Sequence, residues 1–390
     1  MKNKNVILGA AFLTATSAVG PGFLTQTATF TEKLGASFAF IVLLSVIANV
    51  GVQFNIWRVI TISRLKAQDI ANKVFPGVGY LLSFLIVLGG LAFNIGNVAG
   101  AGLGIETIFG ISPVLGACIS AIIAIWIFSN KNAGSKMDWF AKMLGAGLIL
   151  IIVYIVFISN PPLGEVAKEL VNPSKFDALS LVTLVGGTVG GYITFSGAHR
   201  LLDAGVCGEE KQGEVTQSAI VGIFIASLIR ILLFLAVLGV VSMGVKLEST
   251  NPALTPFQYT LKDFGTIGFG LVIWAASITS VVGCAYTSVS FITSFHEKLK
   301  ANENKIIIAF IVFSTIVFAT IGKPAQVLVL VGTLNGLILP IALVVILIAA
   351  FKKDIVGSYK HSKILAGLGW IIAIAMAYFS FITIKNYLGI

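Results

Sequence analysis

Residues 18–23 read Ala18-Val19-Gly20-Pro21-Gly22-Phe23, and residues 186–192 read Gly186-Gly187-Thr188-Val189-Gly190-Gly191-Tyr192. Both lie inside long apolar runs, at about 6–30 and 178–198. Proline removes a backbone donor from the helical ladder, and glycine accepts angles that other residues avoid. Each glycine inside a helix also costs roughly 1 kcal/mol relative to alanine, and the second stretch holds glycine at 186, 187, 190 and 191. The two runs are therefore predicted to be helices interrupted near their middles.

Nine further apolar runs surround them, at about 36–57, 78–104, 112–128, 139–159, 217–243, 266–293, 306–321, 325–350 and 364–384. Continuous runs of this length suit membrane helices of about 20 residues, not the alternating ten-residue strands of a membrane barrel. The expected fold is an all-α integral membrane protein of about eleven transmembrane helices. The interrupted runs are the first and the sixth. They hold equivalent places if residues 6–159 and 178–350 form two repeats of five spans, with 364–384 as an extra helix. Broken helices at matching positions of two halves point to a solute site near the bilayer midplane.

The whole chain agrees with that reading. Of 390 residues, 57% are hydrophobic and 11% charged, against roughly 25% charged in a soluble protein, and the mean hydropathy is +0.99. These values exclude a soluble enzyme and a disordered chain. They also exclude a nucleic-acid partner in spite of the net charge of +10, because few surface residues remain to build such an interface. The expected surroundings are the lipid bilayer of the plasma membrane. Of the 26 Lys and Arg residues, 18 fall on the side of the N-terminus and seven on the other, with Arg230 inside a span. That bias predicts an inside N-terminus and, with eleven spans, an outside C-terminus. Lys2 and Lys4 ahead of the first run suit a retained helix better than a cleaved signal, since ten more spans follow. Cys118, Cys207 and Cys284 are too few and too widely spaced for a disulfide framework or a zinc motif.

These motifs resemble the NRAMP family of metal-ion transporters, a branch of the LeuT-fold superfamily, over most of the chain. The family's first span carries Asp-Pro-Gly-Asn where this sequence has Gly20-Pro21-Gly22-Phe23, and Leu34-Gly35 follows where the family has Phe-Gly. Span two continues the likeness through Gln53 and Arg58. In span three the family shows Asp-Leu-Ala-Glu-Val-Ile-Gly, against Asn94-Ile95-Gly96-Asn97-Val98-Ala99-Gly100. In span six it shows Gly-Ala-Thr-Val-Met-Pro-His, against Gly186 to Tyr192. The resemblance implies a LeuT-like inverted repeat of five plus five spans, one extra helix, and broken helices one and six. It does not bring the metal site with it. The family's metal-binding Asp, Asn and Met fall on Gly20, Phe23 and Gly190, its nearby His on Tyr192, and its span-three acids on Asn94 and Asn97.

By this topology the Asp, Glu and His residues lie in loops or at span ends. A bare divalent cation needs oxygen, nitrogen or sulfur ligands, usually with negative charge. The expected substrate is therefore a small organic solute, such as an amino acid or a carboxylate, carried by alternating access. The candidate substrate-binding residues are Gly20, Pro21, Gly22, Phe23, Thr27, Gly187, Gly190, Gly191 and Tyr192. The breaks free backbone N–H groups at positive half-helix ends, the glycines leave room, and Phe23 and Tyr192 form an aromatic wall. Thr27, with Thr25, Gln26, Thr188 and Thr194, offers neutral hydrogen bonds.

Six residues are candidates for coupling or gating. Asn94 and Asn97, three apart, share a helix face. Arg230 lies mid-span, where an arginine suggests function by default; it could balance an anionic substrate. Ser277, Thr279 and Ser280 in span eight would, by the LeuT-fold resemblance, face span-one carbonyls and suit a sodium ion. Each residue also has a plainer role in helix packing or in bonding back to its own helix. No cofactor and no bound structural metal is expected, and H+ or Na+ symport stays open. Two other readings stand beside the main one: a divalent-cation transporter using carbonyls and hydroxyls, and a receptor or scaffold that transports nothing. An enzyme is not expected, because no acid, base or nucleophile set lies at depth.

Overall fold

The computed structural model describes residues 9–11, 15 and 18–388. Lys2, Lys4 and much of the first half of the first span thus lie outside the described residues. The chain runs α1 (Pro21–Leu34), α2 (Phe38–Ser63), α3 (Ala67–Val74), α4 (Val78–Phe109), α5 (Pro113–Ser129), α6 (Lys131–Ser159), α7 (Leu163–Val171) and α8 (Ala178–Val189). It continues with α9 (Ile193–Asp203), α10 (Gln212–Ser242), α11 (Thr255–Thr293), α12 (Glu297–Ala301), α13 (Glu303–Ile321), α14 (Pro324–Ala349), α15 (Lys353–Val356) and α16 (Lys363–Leu388). Helix ends follow the residues that favour them. Pro21, Pro113 and Pro324 open α1, α5 and α14, where a missing N–H costs nothing. Gly110 and Gly322 close α4 and α13 in the left-handed region, each donating its N–H to a carbonyl four residues back.

Among the described residues, the apolar runs of the sequence fall on helix, apart from the two breaks. Among the same described residues, eight helical stretches have the length and hydropathy of a membrane span, and the bent pair of α6 and α7 makes a ninth. One of the eight, Pro21–Ser63, carries both the second half of the first run and the whole second run. Pro113–Ser129 is apolar but short, at 17 residues. These two account for the expected eleven.

Two elements depart from the sequence reading. Residues 163–171, expected as loop, form α7, which turns 105° from α6 after Asn160-Pro161-Pro162. Its exposed Leu163 and Val171 suit a helix lying in the membrane interface. Helix α11 begins 11 residues before the expected 266 and kinks at Lys262 (φ 49°, ψ −131°), so the apolar run matches the part beyond the kink.

Both interruptions are present. Gly20 is extended (φ −73°, ψ 179°) ahead of α1, and Val19 still donates to the Ala15 carbonyl of the preceding turn. In the sixth span Gly186 and Gly187 remain helical within α8. Only Gly190 (φ −80°, ψ 167°), Gly191 (φ 55°) and Tyr192 leave the helix. The break is thus narrower than the glycine count suggests.

Helix α4 packs along α11 and α5, α14 lies along α8 and α4, and α10 packs on α1 and α2. The α8–α14 contact is backbone to backbone. A β-carbon at Gly186 would collide with the Gly332 carbonyl and the Gly336 amide, and one at Gly336 with the Val182 carbonyl. Small residues let membrane helices approach this closely, and Thr183 and Thr333 share a hydrogen bond of 2.7 Å beside the seam. Helix α16 covers α14, α2 and α8 from outside.

Candidate functional site

A pocket opens where the broken spans meet. It is lined by Gly20, Gly22, Phe23, Phe93, Gly96, Asn97, Gly187, Leu328 and Val331. Its walls come from the α1 break, the middle of α4, the last turns of α8 and the start of α14. It is tight, with room for about one water in this conformation. The glycines make that room: a β-carbon at Gly187 would run into the Gln26 side-chain oxygen, and one at Gly96 would lie 3.3 Å from Leu328. Gln26 Nε2 donates to the Leu328 carbonyl at 2.7 Å, tying α1 to α14 at the pocket edge. Gln26 Oε1 and Asn97 Nδ2 are buried without a hydrogen-bond partner.

Of the expected substrate-binding residues, the structure brings Gly20, Gly22, Phe23 and Gly187 to the lining, together with Asn97 from the coupling set. Pro21 instead packs against Gly100 of α4. Thr27 is buried inside α1. Gly190 and Gly191 back onto Asn335 of α14, whose Nδ2 donates to the Gly89 carbonyl at 3.1 Å. Tyr192 stands behind the lining, edge-on to Phe93 with centroids 5.3 Å apart.

The coupling candidates divide as well. Asn94 is not part of the lining and instead donates to Ser314 Oγ of α13 at 3.1 Å, an adhesive role. Thr279 bonds back to the carbonyls of Ala275 and Ala276. Ser277 is buried beside Gly100, with no partner for its hydroxyl, and Ser280 is buried on the same helix. Arg230 of α10 is fully buried; Nη1 donates to Ser45 Oγ of α2 at 2.7 Å. Its guanidinium carbon lies 5.5 Å from the centroid of the Phe23 ring, the ring that lines the pocket.

Phe93, Gly96, Leu328 and Val331 belong to the lining but not to the sequence-based set. They sit on unbroken helices, in apolar sequence that looks like any other span. For Phe93 and Gly96 the one available signal is their place beside Asn94 and Asn97.

The end of the bundle that holds the C-terminus of α1 is clasped by charge. Lys33 of α1 pairs with Asp177 at 2.9 Å. Glu169 of α7 accepts from the Ser37 hydroxyl and the Ser174 amide, both at 2.6 Å, and the Ser37 bond holds its carboxyl below the usual range.

The profile of the family described as "Nramp: Natural resistance-associated macrophage protein-like" matches residues 11–385. A membrane protein of Haemophilus influenzae is 59% identical over 99% of this chain and 97% of its own. The divalent metal cation transporter MntH of Bacillus subtilis is 22% identical over 94% of this chain and 89% of its own. Among solved structures, the manganese transporter of Eremococcus coleocola superposes with a TM-score of 0.72 at 15% identity, covering 98% of this chain and 87% of that one. MhsT in complex with L-phenylalanine superposes at 0.63 with 17% identity, covering 95% and 97%. The fold is thus LeuT-like, with helices one and six broken.

Proposed function

The chain belongs to the Nramp family of membrane transporters, and on that premise we propose that it carries a small organic solute, an amino acid or a small carboxylate, by alternating access. The observation that carries this reading is the chemistry of the lining. Asn97 is the one residue of the nine whose side chain bears a polar head. A bare Mn²⁺ or Fe²⁺ there would meet backbone carbonyls and a neutral amide, with no carboxylate, imidazole or sulfur. Such a set replaces the ion's hydration poorly. Among the described residues no cluster of three or more His, Cys, Asp and Glu gathers anywhere. Glycine space, freed N–H groups and aromatic walls instead suit a solute with a neutral body and a small polar end.

The tightness of the pocket fits the same reading, since a solute enters only when the walls separate. The moving bodies would be the two halves, 6–159 and 178–350. Ser277, with its unpartnered hydroxyl beside the first break, is the residue we assign to a coupling Na⁺, which tolerates neutral oxygen ligands.

Divalent-cation transport is the second reading, favoured by the family and by its manganese-transporting structural neighbour. Proteoliposomes with a trapped metal-quenched dye decide between them. We expect no saturable Mn²⁺ entry above empty liposomes, with protein shown to be folded, and saturable entry of labelled amino or carboxylic acids. Saturable Mn²⁺ entry would overturn the organic-solute reading, and entry of neither would leave the receptor or scaffold.

A further inference from the structure

Arg230 lies about three turns or more from either end of α10, and it is 0% exposed. Its guanidinium carries five N–H donors and no acceptor. Nη1 donates to Ser45 Oγ at 2.7 Å. The Ser45 proton is itself committed to the Val42 carbonyl at 2.6 Å, so the hydroxyl turns a lone pair to the arginine. The Phe23 ring covers another side. Nε and Nη2 are buried with no hydrogen-bond partner. These two nitrogens share one edge of the planar fork, the edge that a carboxylate grips with two parallel bonds. None of the ion pairs among the described residues includes Arg230. A full charge at this depth is costly unless something of opposite sign meets it.

We propose that the Nε/Nη2 edge of Arg230 is a receptor for one monovalent anion of carboxylate geometry, held beside Ser45 and the Phe23 ring. The proposal rests on the organic-solute reading for the source of that anion. With that reading, the anion is the carboxylate end of the transported solute. Without it, the same edge holds a separate small anion as a resident counter-ion. Phe23 links the two places, because one ring lines the pocket and lies against the guanidinium.

Thermal melting of the purified full-length protein in detergent tests the receptor. The buffer is zwitterionic and salt-free; sodium formate, sodium acetate or sodium chloride is titrated in, with sodium sulfate at equal ionic strength as reference. We expect a saturable rise in melting temperature with formate and acetate beyond that with sulfate. Arg230→Gln should lose the rise while still melting cooperatively. Arg230→Lys, which keeps the charge but not the fork, should keep at most part of it. No anion-specific rise in the wild-type protein, or an undiminished rise in Arg230→Gln, overturns the proposal. Should Arg230→Gln not fold, an undiminished rise in Arg230→Lys does so. A rise with chloride alone overturns the carboxylate geometry.

Uptake of labelled glycine and acetate into proteoliposomes then fixes the source. A rise in apparent KM of about tenfold or more in Arg230→Gln, as expected for a lost charged hydrogen bond, assigns the edge to the solute. Uptake that Arg230→Gln leaves untouched keeps the organic-solute reading and removes Arg230 from it. A formate response with no organic uptake keeps the receptor and removes that reading.

Discussion

Gly22 has space for a methyl group, and the space is the pocket. A β-carbon there would meet only ordinary contacts, Gln26 Nε2 at 3.5 Å and the Leu328 carbonyl at 3.6 Å. We expect Gly22→Ala to fold with stability kept or raised by up to about 1 kcal/mol, the usual gain of alanine over glycine in a helix. Uptake should nevertheless slow, and a melting curve beside an uptake assay reads both; uptake at the wild-type rate would place the solute elsewhere. At Arg230 the outcome is different. Ser45→Ala removes the acceptor of Nη1, and we expect a loss of about 1–3 kcal/mol, measured by chemical denaturation in detergent micelles. At this scale the sequence was a partial guide. Gly20, Gly22 and Phe23 were legible because a helix break has a composition of its own, and Gly187 because it lies in the glycine-rich approach to one although it stays helical. Leu328 and Val331 were not, because they reach the pocket only through the docking of α14 on α1 and α8, and docking between distant segments leaves no local mark.

Among the elements, the α8–α14 seam makes the sharpest demand. Gly186 faces backbone atoms of Gly332 and Gly336, which cannot turn aside as a side chain would. We expect Gly186→Ala to cost about 1–3 kcal/mol or more by overpacking, visible as a lowered melting temperature and poor recovery from the membrane. An unchanged melt would mean that the two helices can spread. The spans themselves were readable, because a membrane helix is one long apolar run and needs no partner to reveal it. What escaped was α7, whose alternation of apolar and charged residues, Leu163-Gly164-Glu165-Val166-Ala167-Lys168, resembles a loop when only continuous apolarity is sought. The kink at Lys262 escaped too, as no proline or glycine adjoins it.

For the whole molecule, the lysine and arginine bias predicts an inside N-terminus, and labelling checks it. In a Cys118→Ser background, Cys207, partly exposed after α9, should react with an impermeant maleimide only once the cells are permeabilised. Leu163→Cys should react in intact cells, and the reverse pattern would turn the molecule over. The eleventh span depends on His361, whose Nε2 lies 2.8 Å from Asn55 Oδ1 of α2. Burial, with Arg58 adding repulsion, pushes its pKa down to about 4 from 6.5. The unfolded chain therefore binds the proton more readily between those values. Stability should be full above pH 6.5 and should fall as the pH drops toward 4. Melting curves across that range, compared with His361→Gln, check the sign; a parallel decline in both would assign it to other groups.

In mechanical terms the seam is a rivet. Two helices joined at their backbones bend as one beam, far stiffer than either alone, so strain arriving from α9 has nowhere to spread along α8. It would collect in the non-helical link of Gly190, Gly191 and Tyr192, where the regular ladder between α8 and α9 is interrupted, and those three residues would be the axle of the sixth span.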